Sequence, residues 1–168
     1  MIKIAAATAA FSLIAGSAFA QSTAGNTASA DGAASTTVIQ AITISATAPL
    51  AFGTIVKPAA GSGLVTVAAN GSRTAAAPVV VAPGSAAATA AAFSVTGATG
   101  QAFSITTPGT VTLSDGTDNL TVNLVASGTS GTLTSGTASF TVGGNMTIAD
   151  TTVAGAYTGN FTETVTYN

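Results

Sequence analysis

The chain has 168 residues, of which 47% are hydrophobic, 5% charged and 5% aromatic, with no cysteine, histidine or tryptophan and a formal net charge of −2. Globular proteins usually carry roughly a quarter charged residues, so Thr, Ser, Gly and Ala must cover this surface, and three bases, Lys3, Lys57 and Arg73, are too few and too scattered for nucleic acid. Without an imidazole for proton transfer near neutrality, a thiol, or a Ser in a G-x-S-x-G setting, no enzyme and no cofactor site is expected.

The first twenty residues, MIKIAAATAAFSLIAGSAFA, read as a secretory signal. Lys3 gives a short basic start, an apolar stretch runs from Ile4 to about Ala15, and Ala18-Phe19-Ala20 occupies the A-x-A position before Gln21. Thr8, Ser12, Gly16 and Ser17 interrupt the apolar stretch, which falls short of the span of about 20 residues that crosses a bilayer. No other stretch is apolar enough to anchor the chain in a membrane. Export is therefore expected, through the periplasm to the cell surface or beyond, in a chain that forgoes disulfides. With the signal removed, Lys57 and Arg73 face Asp31, Asp115, Asp118, Asp150 and Glu163.

Gln21 to Ser35 (QSTAGNTASADGAAS) holds no large apolar side chain and predicts a flexible N-terminal arm before a β-domain over 36–168. TTVIQAITISATA then alternates, with Val38, Ile42 and Ile44 on one side, Gln40 as the exception, and Thr37, Thr43, Ser45 and Thr47 on the other. Short strands punctuated by Gly or Pro follow: Leu50 to Val56, Gly63 to Ala69 ending at the Asn70-Gly71 turn, Ala77 to Val81, Ala92 to Thr96, Ala102 to Thr106 and Thr110 to Leu113. Leu120 to Ala126, Ser139 to Val142, Asn145 to Ile148 and Tyr157 to Tyr167 complete the set. The Ala-rich run Ser85 to Ala92 lacks apolar periodicity and is expected to be a loop or strand edge. This spacing, without an amphipathic helix, predicts an all-β antiparallel sandwich.

Asp115 and Asp118 in SDGTDN form the one carboxylate cluster. Asp-Gly suits the hairpin turn between Leu113 and Leu120, whereas calcium would require about six oxygens, so a turn is expected and a metal site is not. In the closing strand, Tyr157, Gly159, Phe161, Glu163, Val165 and Tyr167 point one way and a ladder of Thr and Asn points the other. Glu163 is out of place on that oily side, so it calls for a base, Arg73 or Lys57, or a solvated rim.

The ending GAYTGNFTETVTYN, with Gly155 near its start and Tyr167 penultimate, resembles the C-terminal signature of chaperone–usher pilins. The likeness is to the archaic, spore-coat-U-like branch and to a related family of uncharacterised exported bacterial domains. LAFGTIV at Leu50 to Val56 resembles a strand that these families carry soon after their first. The resemblance implies an immunoglobulin-like sandwich that lacks one strand, with a hydrophobic groove beside its C-terminal strand. A periplasmic chaperone, delivering subunits to an usher, would fill that groove until the N-terminal arm of a neighbouring subunit replaced it, a form of β-augmentation. Gly155, Tyr157, Phe161, Val165 and Tyr167 would line the groove or face the chaperone. The implied function is that of a structural subunit of a pilus-like or fimbrial fibre. The arm offers only alanines, each forgoing on the order of 1–2 kcal/mol relative to valine or isoleucine. Three alternatives stay open: shallow pockets that take the arm, donation of Val38, Ile42 and Ile44 instead, or a complete domain that serves as a binding module or adhesin and does not polymerise.

Overall fold

The computed structural model describes residues 27–168. The expected signal and the start of the arm, through Asn26, lie outside the described residues. Thr37–Asn168 form one unit, and residues 27–36, which belong to another, carry no strand and are exposed. Every element among the described residues is a β-strand: β1 (Thr43–Ala48), β2 (Ile55–Val56), β3 (Ser62–Val67), β4 (Arg73–Ala75), β5 (Val80–Val81) and β6 (Ala91–Thr96). There follow β7 (Ala102–Thr106), β8 (Thr110–Ser114), β9 (Asn119–Ala126), β10 (Ser130–Thr132), β11 (Thr137–Ala149) and β12 (Thr164–Tyr167). All pairings are antiparallel, and the fold is an all-β sandwich.

One strand organises it. Along one edge β11 pairs first with β6, Thr137↔Thr96 through Val142↔Ala91, and then with β3, Gly144↔Val67 through Ala149↔Ser62. Its other edge takes β9, from Val142↔Ala126 to Met146↔Val122. The handover from β6 to β3 falls at Gly143-Gly144. A Cβ on Gly143 would run into the Val67 carbonyl oxygen, with Ala68 and Ala69 backbone at 2.8 and 2.9 Å. Only glycine lets β11 change partner here without leaving the ladder. The alternation survives the handover, since Phe140, Val142, Met146 and Ile148 are all buried. Where the spacing predicted two strands, Ser139–Val142 and Asn145–Ile148, there is one, because the glycine doublet serves close approach and not a turn.

β1 extends the large sheet beyond β6, and β4 extends it beyond β3. β8 and β9 form the expected hairpin, with Leu113 opposite Leu120 and Gly116 at φ 101°. Asp115 Oδ1 accepts the Asp118 and Thr117 amides at 2.7 and 2.9 Å. A second sheet of β10, β7 and β12 brings Phe103 and Ile105 onto Val65, Val95, Val122 and Val142 of the first. Burying such a side chain is worth about 1.5–3 kcal/mol, which is how a chain without disulfides holds together. Leu133, fully buried just after β10, carries no strand signal in the sequence because SGTLTSG around it reads as loop.

Four expected strands are cut short, each for a local reason. Ala77 to Val81 keeps only β5, because Ala77-Pro78 forms a turn in which the Val79 amide donates to Ala76 O at 3.1 Å. LAFGTIV reduces to a bridge at Ala51 and the two residues of β2, since Gly53 takes φ 70° between them. The first strand begins at Thr43 because its partner β6 ends at the matching Thr96, after which Gly97 bonds to Gly136 and the chain turns away. The closing strand keeps only Thr164–Tyr167, because its partner β7 ends at Thr106 just before Thr107-Pro108, and proline cannot donate to a ladder.

Candidate functional site

β2 and β5 pair in a small ribbon of their own, and the two larger sheets do not meet evenly. β1 pairs with β6 on one edge and β12 pairs with β7 on one edge, and no described strand pairs with the other edge of either. Exposed strand edges are templates for another strand. These two lie near each other and are tied at one end. Tyr167 Oη accepts the Ala98 amide at 2.7 Å and donates to the Gln40 carbonyl at 2.9 Å, so the penultimate residue holds the chain that leads into β1. From that tie β1 runs on toward Leu50, while the closing segment traced backward runs through Phe161 to Gly159. Leu50 and Gly159 both line one cavity of about 670 Å³, floored by Phe52, Ile55, Leu113, Leu120, Met146 and Ile148 and bordered by Val153 to Tyr157. The two edges are thus tied at Tyr167, and an apolar hollow lies between the far ends of the segments that carry them.

Half-buried side chains beside both edges pack on the core. Ile42 and Ile44 pack on the core from the β1 side, and Phe161, Val165 and Tyr167 from the other. Phe161 meets Phe93 edge-on at 6.1 Å, and Phe93 stacks on Phe140 at 5.2 Å. The closing segment crosses between sheets. Thr158 exchanges two backbone hydrogen bonds with Ser114 of β8, at 2.8 and 3.0 Å, and Thr164 pairs with Thr106 of β7. Between them, Gly159 to Glu163 make no backbone hydrogen bond to another described residue. Gly159, Asn160 and Thr162 are exposed, so their backbone groups face water and are free to pair with a further strand.

The residues singled out in the sequence do not all share one place. Phe161, Val165 and Tyr167 lie along the seam. Gly155 and Tyr157 border the cavity instead, Gly155 close against the Asp115 carboxylate and Tyr157 Oη donating to Val153 O at 2.8 Å. Lys57 Nζ donates to the carbonyls of Asp150 and Thr152 at 2.8 and 3.0 Å, fixing the loop that carries this border. Of the candidate donor residues, Ile44 belongs to β1, paired with Val95 of the same molecule, Ile42 sits just before it, and Val38 is 88% exposed with no strand around it.

Glu163 is neither paired with a base nor at a solvated rim. It is 6% exposed; Thr107 Oγ1 donates to Oε2 at 2.8 Å, and Oε1 is buried without a partner. Burial pushes its carboxyl above the usual range, and the Thr107 hydroxyl only partly offsets this. Lys57 is held at the Asp150 loop, and Arg73 Nη1 donates to Phe52 O and to Ser85 Oγ at 2.5 and 3.3 Å. Alternation alone placed Glu163 on the inner side, but it gave no sign of the absent countercharge.

An antiparallel sandwich with an open seam between its first and last strands is the class that fold and geometry define. The chain belongs to the DUF4402 family, a domain of unknown function, whose model matches residues 42–167. No curated protein matches it, and no solved structure does. The matched span begins at Ile42 and stops at Tyr167, so it takes in both sides of the seam and leaves out the arm.

Proposed function

We propose that this chain is an exported structural subunit of a bacterial surface fibre, pilus-like or fimbrial, joined to its neighbours by donor-strand complementation. The observation that carries the reading is the pair of unpartnered edges on β1 and β12, with half-buried apolar side chains between them and five residues ahead of β12 whose backbone is unbonded. A strand entering there gains main-chain hydrogen bonds along an edge and places alternate side chains inward. A periplasmic chaperone and an usher are the partners the reading requires in transit, since an open edge invites wrong pairing. The arm at Gln21–Ser35 is the natural donor, because Ile44 is already used by the chain's own sheet. On this reading the sandwich is immunoglobulin-like and lacks one strand.

A second reading, a self-contained binding module or adhesin, draws on the two hydrogen bonds of Tyr167, which close one end of the seam from within the molecule. Thermal melting of monomeric exported chain, with and without a peptide copying Gln21–Ser35, separates the two. A midpoint that rises with peptide concentration is the expected result. A monomer that ignores the peptide at millimolar concentration overturns the fibre reading in favour of the self-contained module.

A further inference from the structure

Glu163 is an acceptor with half of its capacity unused, next to the path an incoming strand would take. It shares the inward phase of the closing segment with Phe161 and Val165, and its Oε1 is shut away from water with nothing to accept from. Native interiors seldom keep such an atom unmatched. A strand laid along the free edge of β12 would send alternate side chains between Ile44 on one side and Phe161, Glu163 and Val165 on the other. One of those side chains must come to rest beside Glu163.

We infer that Glu163 sets the register of the strand that fills the seam, and that the strand is the N-terminal segment of a second copy, whose Asn26 amide donates to Oε1. This rests on the fibre reading. Split by alternation, the segment has two phases. One carries Ser22, Ala24, Asn26, Ala28 and Ala30; the other carries Thr23, Thr27, Ser29 and Asp31. Turning the second phase inward would take the Asp31 carboxylate into the interior that already holds Glu163, and like charges in a dry site repel. The first phase brings no charge, and its alanines suit a seam that is drawn tight at the Tyr167 end. Those alanines alone would let the strand slip by two residues at little cost, since one alanine pocket resembles the next. A single amide meeting a single buried carboxyl removes that freedom, the use of buried polar groups that is best attested. Asn26 is the amide of that phase, flanked by Ala24 and Ala28.

The test measures binding of two peptides to the exported full chain by titration calorimetry. One copies Gln21–Ser35, and the other copies it with Asn26→Ala. The parent chain should prefer the asparagine peptide by about tenfold, the effect of one hydrogen bond to a charged or buried group. The chain with Glu163→Leu should bind both peptides alike; if that variant does not fold, Glu163→Met, closer in length, serves the same end. Equal binding of both peptides to the parent chain overturns the register role and leaves the fibre reading standing, as does a preference that persists in the Glu163 variants. Binding of neither peptide overturns the fibre reading itself, and this inference with it.

Discussion

Replacing Tyr167 by Phe removes one oxygen and leaves the ring, so it isolates the tie between the last strand and the chain that leads into the first. The hydroxyl accepts the half-buried Ala98 amide at 2.7 Å and donates to Gln40 O at 2.9 Å. The Gln40 carbonyl is exposed and can turn to water at little cost, whereas the Ala98 amide is left facing a ring edge. Losing its acceptor costs about 1–2 kcal/mol. At about 2–4 °C per kcal/mol for a domain of this size, the melting midpoint should fall by about 2–8 °C. Differential scanning calorimetry reads the midpoint, and amide hydrogen exchange reads the place, with protection lost first over Ile42 to Ile44. Tyr167→Ser should cost roughly 2 kcal/mol more, because the ring's packing on the core beside Gly97 is lost as well. An unchanged midpoint and unchanged exchange in Tyr167→Phe would refute the claim that the hydroxyl closes this end of the seam.

The handover in β11 makes Gly143→Ala a severe change, about 2–3 kcal/mol in urea denaturation, because rigid backbone of Val67 to Ala69 stands where the methyl would go; Gly109→Ala, which meets nothing within 4 Å, should be nearly neutral. Phe161→Ala deletes the edge-on contact with Phe93 and should cost roughly 2 kcal/mol, below the range for a fully buried ring because Phe161 is half-exposed. For Glu163 the carboxyl is raised in the folded state, so the native chain binds more protons than the unfolded one, and stability falls as pH rises from the ordinary glutamate range through the raised value. Melting against pH should show that decline, and Glu163→Gln should flatten it. Asp115 has the opposite sign: the Asp118 and Thr117 amides hold its carboxyl below the usual range, so the support it gives the β8–β9 turn is present at neutral pH and lost as pH falls through that lowered value, a loss absent in Asp115→Asn.

What could be read in advance was whatever depends on neighbours in sequence. The β8–β9 hairpin follows from Asp115-Gly116 between two alternating runs, and β6, β7 and β9 follow from alternation that the core then uses, as at Val95, Phe103 and Val122. What could not be read depends on how far a partner extends. Tyr157 to Tyr167 alternates throughout, yet only its last four strand residues have β7 beside them, because Pro108 closes that partner. The same holds for Val38, which alternates with Ile42 but has no strand opposite it. Of the candidate site, Phe161, Val165 and Tyr167 were legible as an inward set. That Gly155 and Tyr157 border a different hollow was not, since alternation does not reveal a crossing from one sheet to the other. The Gly143-Gly144 pair misled because a glycine doublet looks the same whether it turns a chain or lets two backbones touch.

The partner-sharing of β11 also bears on how the molecule is made. β3 and β6 are synthesised long before the strand that joins them, and neither is a ladder partner of the other. Until residues 137–149 arrive, β1 to β10 are short hairpins and single strands with nothing to hold them in one body, and closure of such distant pairs is slow. The vulnerable interval for this protein is therefore its birth, when hydrophobic strands wait without a keystone and stray association competes with completion.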